Sequence, residues 1–233
     1  MKSLLVILFT ITAVCSAEVL FEDYFDDGNA DGWFEFSENP DSAYYYVEDY
    51  WYHLEIHELD AHIGSVNGDI SDTTPHHMSI PDYSIYCKLN AFPDTQYAGV
   101  GGRFQSPPTD ELGYVIWLKY DSNSVQIWRA DGPNNVTTLT SAYFTLEYEE
   151  EYWIRFDLWG GLLQGKVWQG SLGDEPGTYL LSAYDATYTE PGSVVVAAFS
   201  WGFTESHAAF DSVIVCNPLS LEQSTWAGIK SMF

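Results

Sequence analysis

An alternation of apolar and polar residues with a period of two runs through most of this chain. It is clearest on the two sides of a Gly-Gly pair at residues 160–161. Before the pair, Ile154 and Phe156 share one face of an extended segment, and after it Leu163 and Val167 do the same. Because successive side chains of a strand point to opposite faces, this arrangement predicts a β-hairpin lying over a core.

The same alternation, bounded by turn residues, predicts further strands along the chain. They lie at the start of 19–33 and at 44–48, 51–58, 83–90, 98–105, 114–120, 125–130, 194–199 and 208–215. With the hairpin, this makes about ten to thirteen short strands and no convincing helix, which indicates an all-β sandwich rather than a βαβ fold.

The N-terminus has the features of an export signal. Lys2 precedes an apolar run at 4–14, and the small residues Cys15, Ser16 and Ala17 follow it. This pattern predicts a signal peptide over residues 1–17. The apolar run is too short to serve as a membrane anchor. A lipoprotein, in which Cys15 would carry the lipid, is disfavoured because Val14 fits poorly at the position before that cysteine. The mature chain is therefore expected to be secreted, extracellular or at the cell surface, without membrane insertion.

Charge narrows the possible partners. The chain has 8 Lys and Arg residues against 34 Asp and Glu residues, a formal net charge of -26 at pH 7. Such a protein repels nucleic acids and anionic membrane surfaces, so neither is expected as a partner. The acidic residues either only keep the protein soluble or indicate that it binds cations. The aromatic fraction of 17% suits sheets whose faces carry Trp and Tyr.

Two stretches resemble the concanavalin A-like (laminin G-like) jelly-roll domain of bacterial secreted and surface proteins. In that family, a W-x-x-hydrophobic strand runs through a Gly turn into K-V-W, an E-P-G loop and a bulky residue. The matching positions are Trp153, Gly160, Lys166, Val167, Trp168, Glu175, Pro176, Gly177 and Tyr179. The stretch 19–33 is similar to the family's opening strand and acidic loop. The resemblance implies a jelly-roll sandwich of two antiparallel sheets over 18–216, followed by a tail at 217–233.

Catalytic motifs are missing from the sequence. Glucanases of the resembled fold carry E-x-D-x-x-E on one strand, which gathers the carboxylates that retaining hydrolysis needs. The nearest approach here is Glu55, Glu58 and Asp60, where Glu55 and Glu58 point to opposite faces of an extended strand. No G-x-S-x-G, phosphate loop or H-E-x-x-H occurs either. The chain is therefore expected to bind rather than to catalyse.

Histidines near residue 55 raise the question of a transition-metal site. His53 and His57 share a strand face with Glu55 between them, and His62 follows in a loop. The two histidines are roughly 13 Å apart on an extended strand, too far for one ion, so Glu55 would have to act with either one. The preferred interpretation is a solvated polar face.

Outside the signal peptide the chain has two cysteines, Cys87 and Cys216. In an exported protein they either form a disulfide or remain as two thiols. The resembled fold places their strands in the same back sheet, which would allow the pair to meet. The sequence leaves both alternatives open.

Acidic residues near the start of the chain suggest a structural calcium ion. Ca²⁺ prefers carboxylate and carbonyl oxygens. Some relatives of the resembled fold bind calcium with an acidic residue on the last strand and oxygens near the first. The matching residues here are Glu22, Asp23 and Asp211, with more aspartates at 26–31. The alternative is an acidic turn in which Asp211 accepts backbone hydrogen bonds.

The tail at 217–233 has a helical pattern. Ser220 and Gln223 make a capping box, and Trp226, Ile229 and Phe233 fall on one stripe. The segment resembles short C-terminal tails of the form W-G-x-I-K-x-x-F/Y on exported bacterial proteins. It is either a sorting or attachment signal or a terminal helix that docks on the sandwich.

Side-chain parity also predicts a binding surface. Parity points Ile116, Ile127 and Ile154 to the core. It points a set of aromatic and charged residues away from the core: Arg103, Trp117, Lys119, Trp128, Arg155, Asp157, Lys166 and Trp168. If their strands are neighbours, as in the resembled fold, they form one patch on the concave side of a sheet.

The chemistry of this patch suits a sugar, since indole rings pack on sugar C–H faces and charged groups hydrogen-bond hydroxyls. The sequence therefore predicts a secreted, non-catalytic module that binds a glycan or another cell-surface polymer. One alternative is a surface ladder of cross-strand pairs without a ligand. The others are an adhesive or structural module with a protein partner, and a glycoside hydrolase or lyase.

Overall fold

The computed structural model describes residues 18–37, 39–59, 62–69, 74–75, 77–105, 111–132, 135–202 and 205–217. The predicted signal peptide, 1–17, and residues 218–233 of the predicted tail lie outside these ranges, so both remain predictions. Within the described ranges, no helix is long and apolar enough to span a membrane.

The described residues form sixteen strands and three short 3₁₀ helices. The strands are β1 Val19–Asp23, β2 Trp33–Ser37, β3 Ala43–Glu48, β4 Trp51–Ile56, β5 His62–Asp69, β6 Thr74–Pro75, β7 Tyr83–Ala91, β8 Tyr97–Phe104, β9 Leu112–Lys119, β10 Ser124–Asp131, β11 Val136–Tyr143, β12 Tyr152–Trp159, β13 Leu162–Trp168, β14 Leu181–Tyr184, β15 Ser193–Phe199 and β16 Ser206–Cys216. The 3₁₀ helices are Pro40–Ser42, Tyr120–Ser122 and Leu172–Asp174.

These strands make two antiparallel sheets. Sheet A has the order β14-β13-β12-β7-β16-β4-β3, and β1 pairs with β16. Sheet B has the order β11-β10-β9-β8-β15-β5-β2, and β6 pairs with β5. The sheets pack face to face over one large apolar core. The predicted all-β sandwich of two antiparallel sheets is confirmed.

The core lies where the alternation placed it. On β12 and β13, Ile154, Phe156 and Leu163 are fully buried between the sheets, and so is Ile116 on β9. Each such side chain contributes about 1.5–3 kcal/mol when it leaves water. The inward and outward assignments made from parity on these strands are therefore confirmed.

Several strands were not predicted. β5 has the sequence HIGSVNGD and is largely buried. Its Gly and Asn residues interrupt the alternation of apolar and polar residues, so the pattern did not predict a strand. β11 has the sequence VTTLTSAY and lies at the edge of sheet B, where its Thr and Ser side chains face solvent. Both strands form because neighbouring strands supply hydrogen-bond partners, a tertiary effect that local sequence does not record.

Cys87 and Cys216, both in described strands, are not joined by a disulfide. Their strands are neighbours in sheet A, as expected, but the register pairs Cys87 with Val213 and Cys216 with Ser84. The two cysteines are thus three residues out of register, roughly 10 Å along the strands. Cys87 also packs in the core between the sheets, whereas Cys216 packs on the outer side of sheet A. The disulfide alternative was wrong.

Candidate functional site

The predicted binding patch is divided between the two sides of the sandwich. β9 and β10 belong to sheet B, whereas β12 and β13 belong to sheet A, because the chain crosses between the sheets after β11. Trp117, Lys119 and Trp128 lie on the outer face of sheet B. The other predicted residues on strands β12 and β13 lie on the outer face of sheet A: Arg155, Asp157, Lys166 and Trp168. The prediction of one continuous patch was therefore wrong.

Arg103 lies inside the protein rather than on a surface. Its side chain is fully buried, where it donates hydrogen bonds to the carbonyl oxygens of Pro81, Gly160 and Tyr188 and pairs with Asp82 at 2.9 Å. Its φ of 54° is left-handed and interrupts the alternation of β8, so parity pointed the side chain the wrong way. The surface assignment of Arg103 was wrong, and the residue holds loops together instead.

The outer face of sheet B is an apolar layer, which we call the aromatic face. Its buried cluster comprises Tyr97, Phe104, Val115, Trp117, Trp128, Ala130, Val195 and Phe199. The rings lie against bare backbone, since a Cβ added at Gly99 would fall 2.9 Å from the Trp117 ring. Trp117 and Trp128 are only 6% and 5% exposed, so these rings pack against each other and the strands below. A groove of about 70 Å³ remains, with the exposed Trp201 at its margin.

The charged residues on β12 and β13 neutralise each other. Arg155 donates to Asp157 and to Glu175, in both cases at 2.8 Å, and Lys166 donates to the same Glu175 oxygen at 2.5 Å. Tyr179 donates a hydrogen bond to Asp157. Glu175 and Tyr179 come from the loop that follows β13 and folds back over the sheet. We call this set the ion-pair network. The alternative offered by the sequence was a ladder of cross-strand pairs, whereas the observed pairs lie within β12 or reach the loop after β13.

Trp168 is likewise packed rather than open. It is 6% exposed, its ring stacks on Trp153 at 6.2 Å, and its indole N–H donates to the carbonyl oxygen of Ser171. Lys119, on the other face, pairs with Asp121 at 2.6 Å and lies over the ring of Tyr97. These predicted site residues all have partners within the protein.

The other half of the outer face of sheet A carries an open depression of about 390 Å³, which we call the polar cleft. It is lined by Tyr46, Glu48, Asp49, Trp51, His53, Asn90, Phe92, Glu151, His207 and Ala209. Across its floor, the register places Asn90, Ala209, His53 and Tyr46 side by side on β7, β16, β4 and β3. Ala209 is the small member of this row, so the floor is lowest there.

Four aromatic rings line the polar cleft in two stacked pairs. Tyr46 stacks on His53 at 4.7 Å, and Phe92 stacks on His207 at 4.0 Å. The two stacks are joined by a hydrogen bond of 2.9 Å between His53 Nδ1 and His207 Nε2. Burial lowers the pKa of His207 to about 4 and also lowers the pKa of His53. Both imidazoles are therefore neutral at pH 7, with one ring nitrogen donating and the other accepting.

The rim of the polar cleft is rich in hydrogen-bond acceptors. Glu48, Asp49 and Glu151 are exposed carboxylates. Asn90 also lines the cleft, but its Oδ1, which has no hydrogen-bond partner in the described part of the chain, is buried. Lys88 lies beneath this rim, with Glu151 at 2.8 Å. The cleft thus combines aromatic surface with exposed carboxylates.

The predicted calcium ligands are not gathered at one point. Asp211 pairs with Lys88 at 2.8 Å on the outer side of sheet A. Asp23 uses its two oxygens to accept hydrogen bonds from the backbone of Phe25 and from the indole of Trp33, a core residue. Glu22 accepts a hydrogen bond from Tyr24. Since Asp23 and Asp211 lie on opposite faces of the sheet, Glu22, Asp23 and Asp211 do not fit one shared calcium ion.

Sequence reasoning missed the polar cleft because its residues come from four strands and three loops. The alternation of β4 does place Trp51 and His53 on one outward face. The approach of Phe92, Glu151 and His207 depends on the order of strands in sheet A, which the local pattern does not contain.

No protein-family model matches the sequence, and no curated protein matches it. Solved structures do match. The carbohydrate-binding module CBM66 from Bacillus subtilis has a TM-score of 0.51 at 10% identity, over 76% of this chain and 96% of that one. The exoplasmic/lumenal domain of VIP36 bound to Ca²⁺ and Man3GlcNAc has a TM-score of 0.57 at 10% identity, over 80% and 83%. Bacillus licheniformis β-glucanase has a TM-score of 0.58 at 12% identity, over 87% and 100%.

At sequence identities this low, structural similarity establishes the fold but says nothing about the site. All three proteins superpose on most of this chain, and between 83% and 100% of their own chains is covered. The two antiparallel sheets described above share their architecture. The chain has the concanavalin A-like jelly-roll fold that its sequence resembles.

Proposed function

We propose that this protein is a secreted module that binds a glycan in the polar cleft without transforming it. The observation that carries the proposal is the composition of the cleft, where aromatic rings stand beside exposed carboxylates. Sugar-binding sites need this combination, since C–H faces of the ring pack on aromatics while hydroxyl groups require polar partners. The fold neighbours, a carbohydrate-binding module and a domain bound to Man3GlcNAc among them, support the same class of ligand.

Charge indicates which glycans to try first. The rim carries Glu48, Asp49 and Glu151, and the whole chain has a formal net charge of -26. Acidic polymers such as polyuronates would be repelled, whereas neutral or amino sugars would not. We therefore expect a neutral or cationic glycan, whose hydroxyl or ammonium groups donate to these carboxylates.

Binding without catalysis is supported by the missing E-x-D-x-x-E strand motif. The β-glucanase neighbour shows that the fold accommodates hydrolysis, which needs one carboxylate on each side of the scissile bond. The binding experiment should therefore include a search for shortened or unsaturated products.

The test is a glycan array probed with chain 18–233, followed by calorimetry on any glycan retained. Trp51→Ala should weaken binding by about tenfold to a hundredfold, because it removes the aromatic anchor next to the acceptors. The matched control is Tyr184→Ala, which removes a 79% exposed ring from β14 at the far edge of the same sheet. Its affinity should equal that of the parent.

Three results would overturn this proposal. Retention of no glycan would reject glycan binding, and self-association or capture of one cell-surface protein would then favour the adhesive alternative. Equal losses for Trp51→Ala and Tyr184→Ala would reject the polar cleft as the site. Release of free sugar from a bound glycan would make the protein a hydrolase or lyase.

A further inference from the structure

Three side chains that could hold a metal ion converge on the outer face of sheet A, beside the polar cleft. They are Glu55, His57 and Glu205, and one possible ligand atom from each lies within 4.8 Å of the others. His57 Nε2 is 2.7 Å from Glu55 Oε1, and His57 Nδ1 is 3.9 Å from Glu205 Oε1. In the part of the chain that the structure describes, this is the only such cluster.

The fold explains why these residues meet. Glu55 is on β4 and His57 follows two residues later, so on extended backbone their side chains point to the same side. β16 runs antiparallel to β4, and Ser206 pairs with Ile56. That register places Glu205, the residue before β16, directly beside His57. The contribution of Glu205 could not be found from sequence, because about 150 residues separate it from the other two.

Neighbouring groups hold the cluster in position. The Tyr46 hydroxyl donates to Glu55 Oε2 at 3.0 Å, which leaves Oε1 directed at His57. The ring of Tyr44 meets the imidazole of His57 edge to face at 5.6 Å. Such outer contacts fix the orientation of metal ligands in known sites. The side chains of Glu55, His57 and Glu205 are 20%, 46% and 39% exposed, so an ion has free access from solvent.

We propose that Glu55, His57 and Glu205 bind a divalent transition-metal ion of the Zn²⁺ class. One imidazole nitrogen and two carboxylate oxygens are Zn²⁺ ligands, whereas Ca²⁺ and Mg²⁺ take oxygen alone. Ligand atoms around tetrahedral Zn²⁺ lie about 3.3 Å apart. Because Nε2 of His57 faces Glu55 and Nδ1 faces Glu205, one of these nitrogens must serve with both carboxylates, and separations of up to 4.8 Å then need side-chain shifts of about 1.5 Å. Two carboxylates balance the charge of the ion, and three protein ligands leave one position for water or a ligand oxygen.

This site differs from the arrangement weighed from sequence. There, His53 and His57 were alternative partners of Glu55, and a solvated polar face was preferred. In the structure, His53 bonds to His207, so His57 alone faces the two carboxylates. The proposal is independent of the proposed glycan binding, because its ligands do not line the polar cleft.

The experiment uses chain 18–233 without a polyhistidine tag, stripped with a chelator and titrated with ZnCl₂ in a calorimeter. We expect one ion per chain and a melting temperature that rises by about 5 °C or more at a hundredfold excess over Kd. CaCl₂ and MgCl₂ at equal concentration should give no competing heat. Co²⁺ should give the visible absorption of a tetrahedral site, which a stability effect alone would not produce.

Variants identify the ligands. His57→Ala should abolish saturable Zn²⁺ binding, and Glu205→Gln should weaken it by at least about tenfold. Both side chains are well exposed, so neither change should unfold the protein. The matched control His77→Ala removes an exposed loop histidine and should bind Zn²⁺ as the parent does. Unchanged binding in His57→Ala and Glu205→Gln, no saturable binding in the parent, or displacement of Zn²⁺ by equimolar Ca²⁺ would each overturn the proposal.

Discussion

The outer faces of the two sheets are both rich in aromatic side chains, but they use them in opposite ways. On the aromatic face of sheet B, Trp117 packs over Gly99 and is 6% exposed. On sheet A, Trp51 and Phe92 stay partly exposed at the edge of the polar cleft. Aromatic content therefore does not identify a binding face; exposed ring surface beside unused polar groups does.

A second difference concerns polar groups. The groove on sheet B is lined almost entirely by apolar side chains. The cleft on sheet A is lined by three carboxylates, two imidazoles and an amide. The first face is built to stabilise the sheet on which it lies, whereas the second has groups available for a ligand. Each prediction below changes one side of this comparison.

The largest effect is expected for Trp117→Ala on the aromatic face. Removing a buried indole leaves a cavity and should lower the free energy of unfolding by about 3–5 kcal/mol. The matched variant Trp117→Phe keeps a ring and removes an indole N–H that has no hydrogen-bond partner in the described structure, so it should cost much less. Denaturant unfolding measures both, and glycan affinity below the transition should be unchanged.

This prediction can fail in an informative way. If Trp117→Phe is as stable as the parent but loses glycan affinity, the indole N–H serves a ligand. The aromatic face, rather than the polar cleft, would then be the binding surface, as the sequence first suggested for Trp117 and Trp128.

A smaller loss is expected for Gly99→Ala in the floor of the aromatic face. The added Cβ would lie 2.2 Å from the backbone oxygen of Ile116 on the neighbouring strand and 2.9 Å from the Trp117 ring. Backbone and ring must both move, which should cost about 1–3 kcal/mol. Gly177→Ala is the control, since nothing lies within 4 Å of its Cβ position. Equal melting temperatures for the two variants would show that the rings do not rest on the strands.

Glu175→Gln should distinguish the role of the ion-pair network, which is stability, from that of the polar cleft on the same sheet, which is ligand binding. Glu175 accepts hydrogen bonds from both Arg155 and Lys166, and Lys166 is only 6% exposed. Losing the charge should lower the free energy of unfolding by about 1–3 kcal/mol without changing glycan affinity. Glu190→Gln, at an exposed position, is the matched control for thermal unfolding. A loss of glycan affinity without a loss of stability would instead indicate that Arg155 and Lys166 contact the ligand.

Most of the fold was predictable because alternation fixes which side chains face the core. Ile154, Phe156 and Leu163 were placed correctly from parity alone. Parity failed at Arg103, where a left-handed backbone reverses the side chain. Parity also could not assign a strand to one sheet or the other. Trp117 and Trp168 both point away from the core, although they belong to different sheets. The Cys87–Cys216 pair failed for a related reason, since neither register nor face follows from the spacing of two cysteines.

The candidate site was less predictable, since it depends on contacts between distant strands. Glu151, Asn90 and His207 meet only after sheet A has its order β12-β7-β16-β4. The charged residues chosen from sequence were the ones that the chain pairs internally, since Arg155 pairs with Asp157 on the same strand and with Glu175 in the loop after β13. The residues of the polar cleft are the better candidates, and the strand order that gathers them is visible only in the structure.

The smallest effect on stability, and the sharpest test of the polar cleft, is expected for Glu151→Gln. Glu151 is 53% exposed, and its ion pair with Lys88 is one of two, since Asp211 lies at the same distance of 2.8 Å. An exposed pair of this kind contributes about 0–1 kcal/mol, so the free energy of unfolding should change by less than about 0.5 kcal/mol. Glycan affinity, measured by calorimetry, should fall by about threefold to tenfold, because a carboxylate acceptor on the rim becomes an amide. A stability loss above about 1 kcal/mol with unchanged affinity would mean that this rim is a second internal network, like the one around Glu175. The contrast between a packed face and a binding face would then not hold for sheet A.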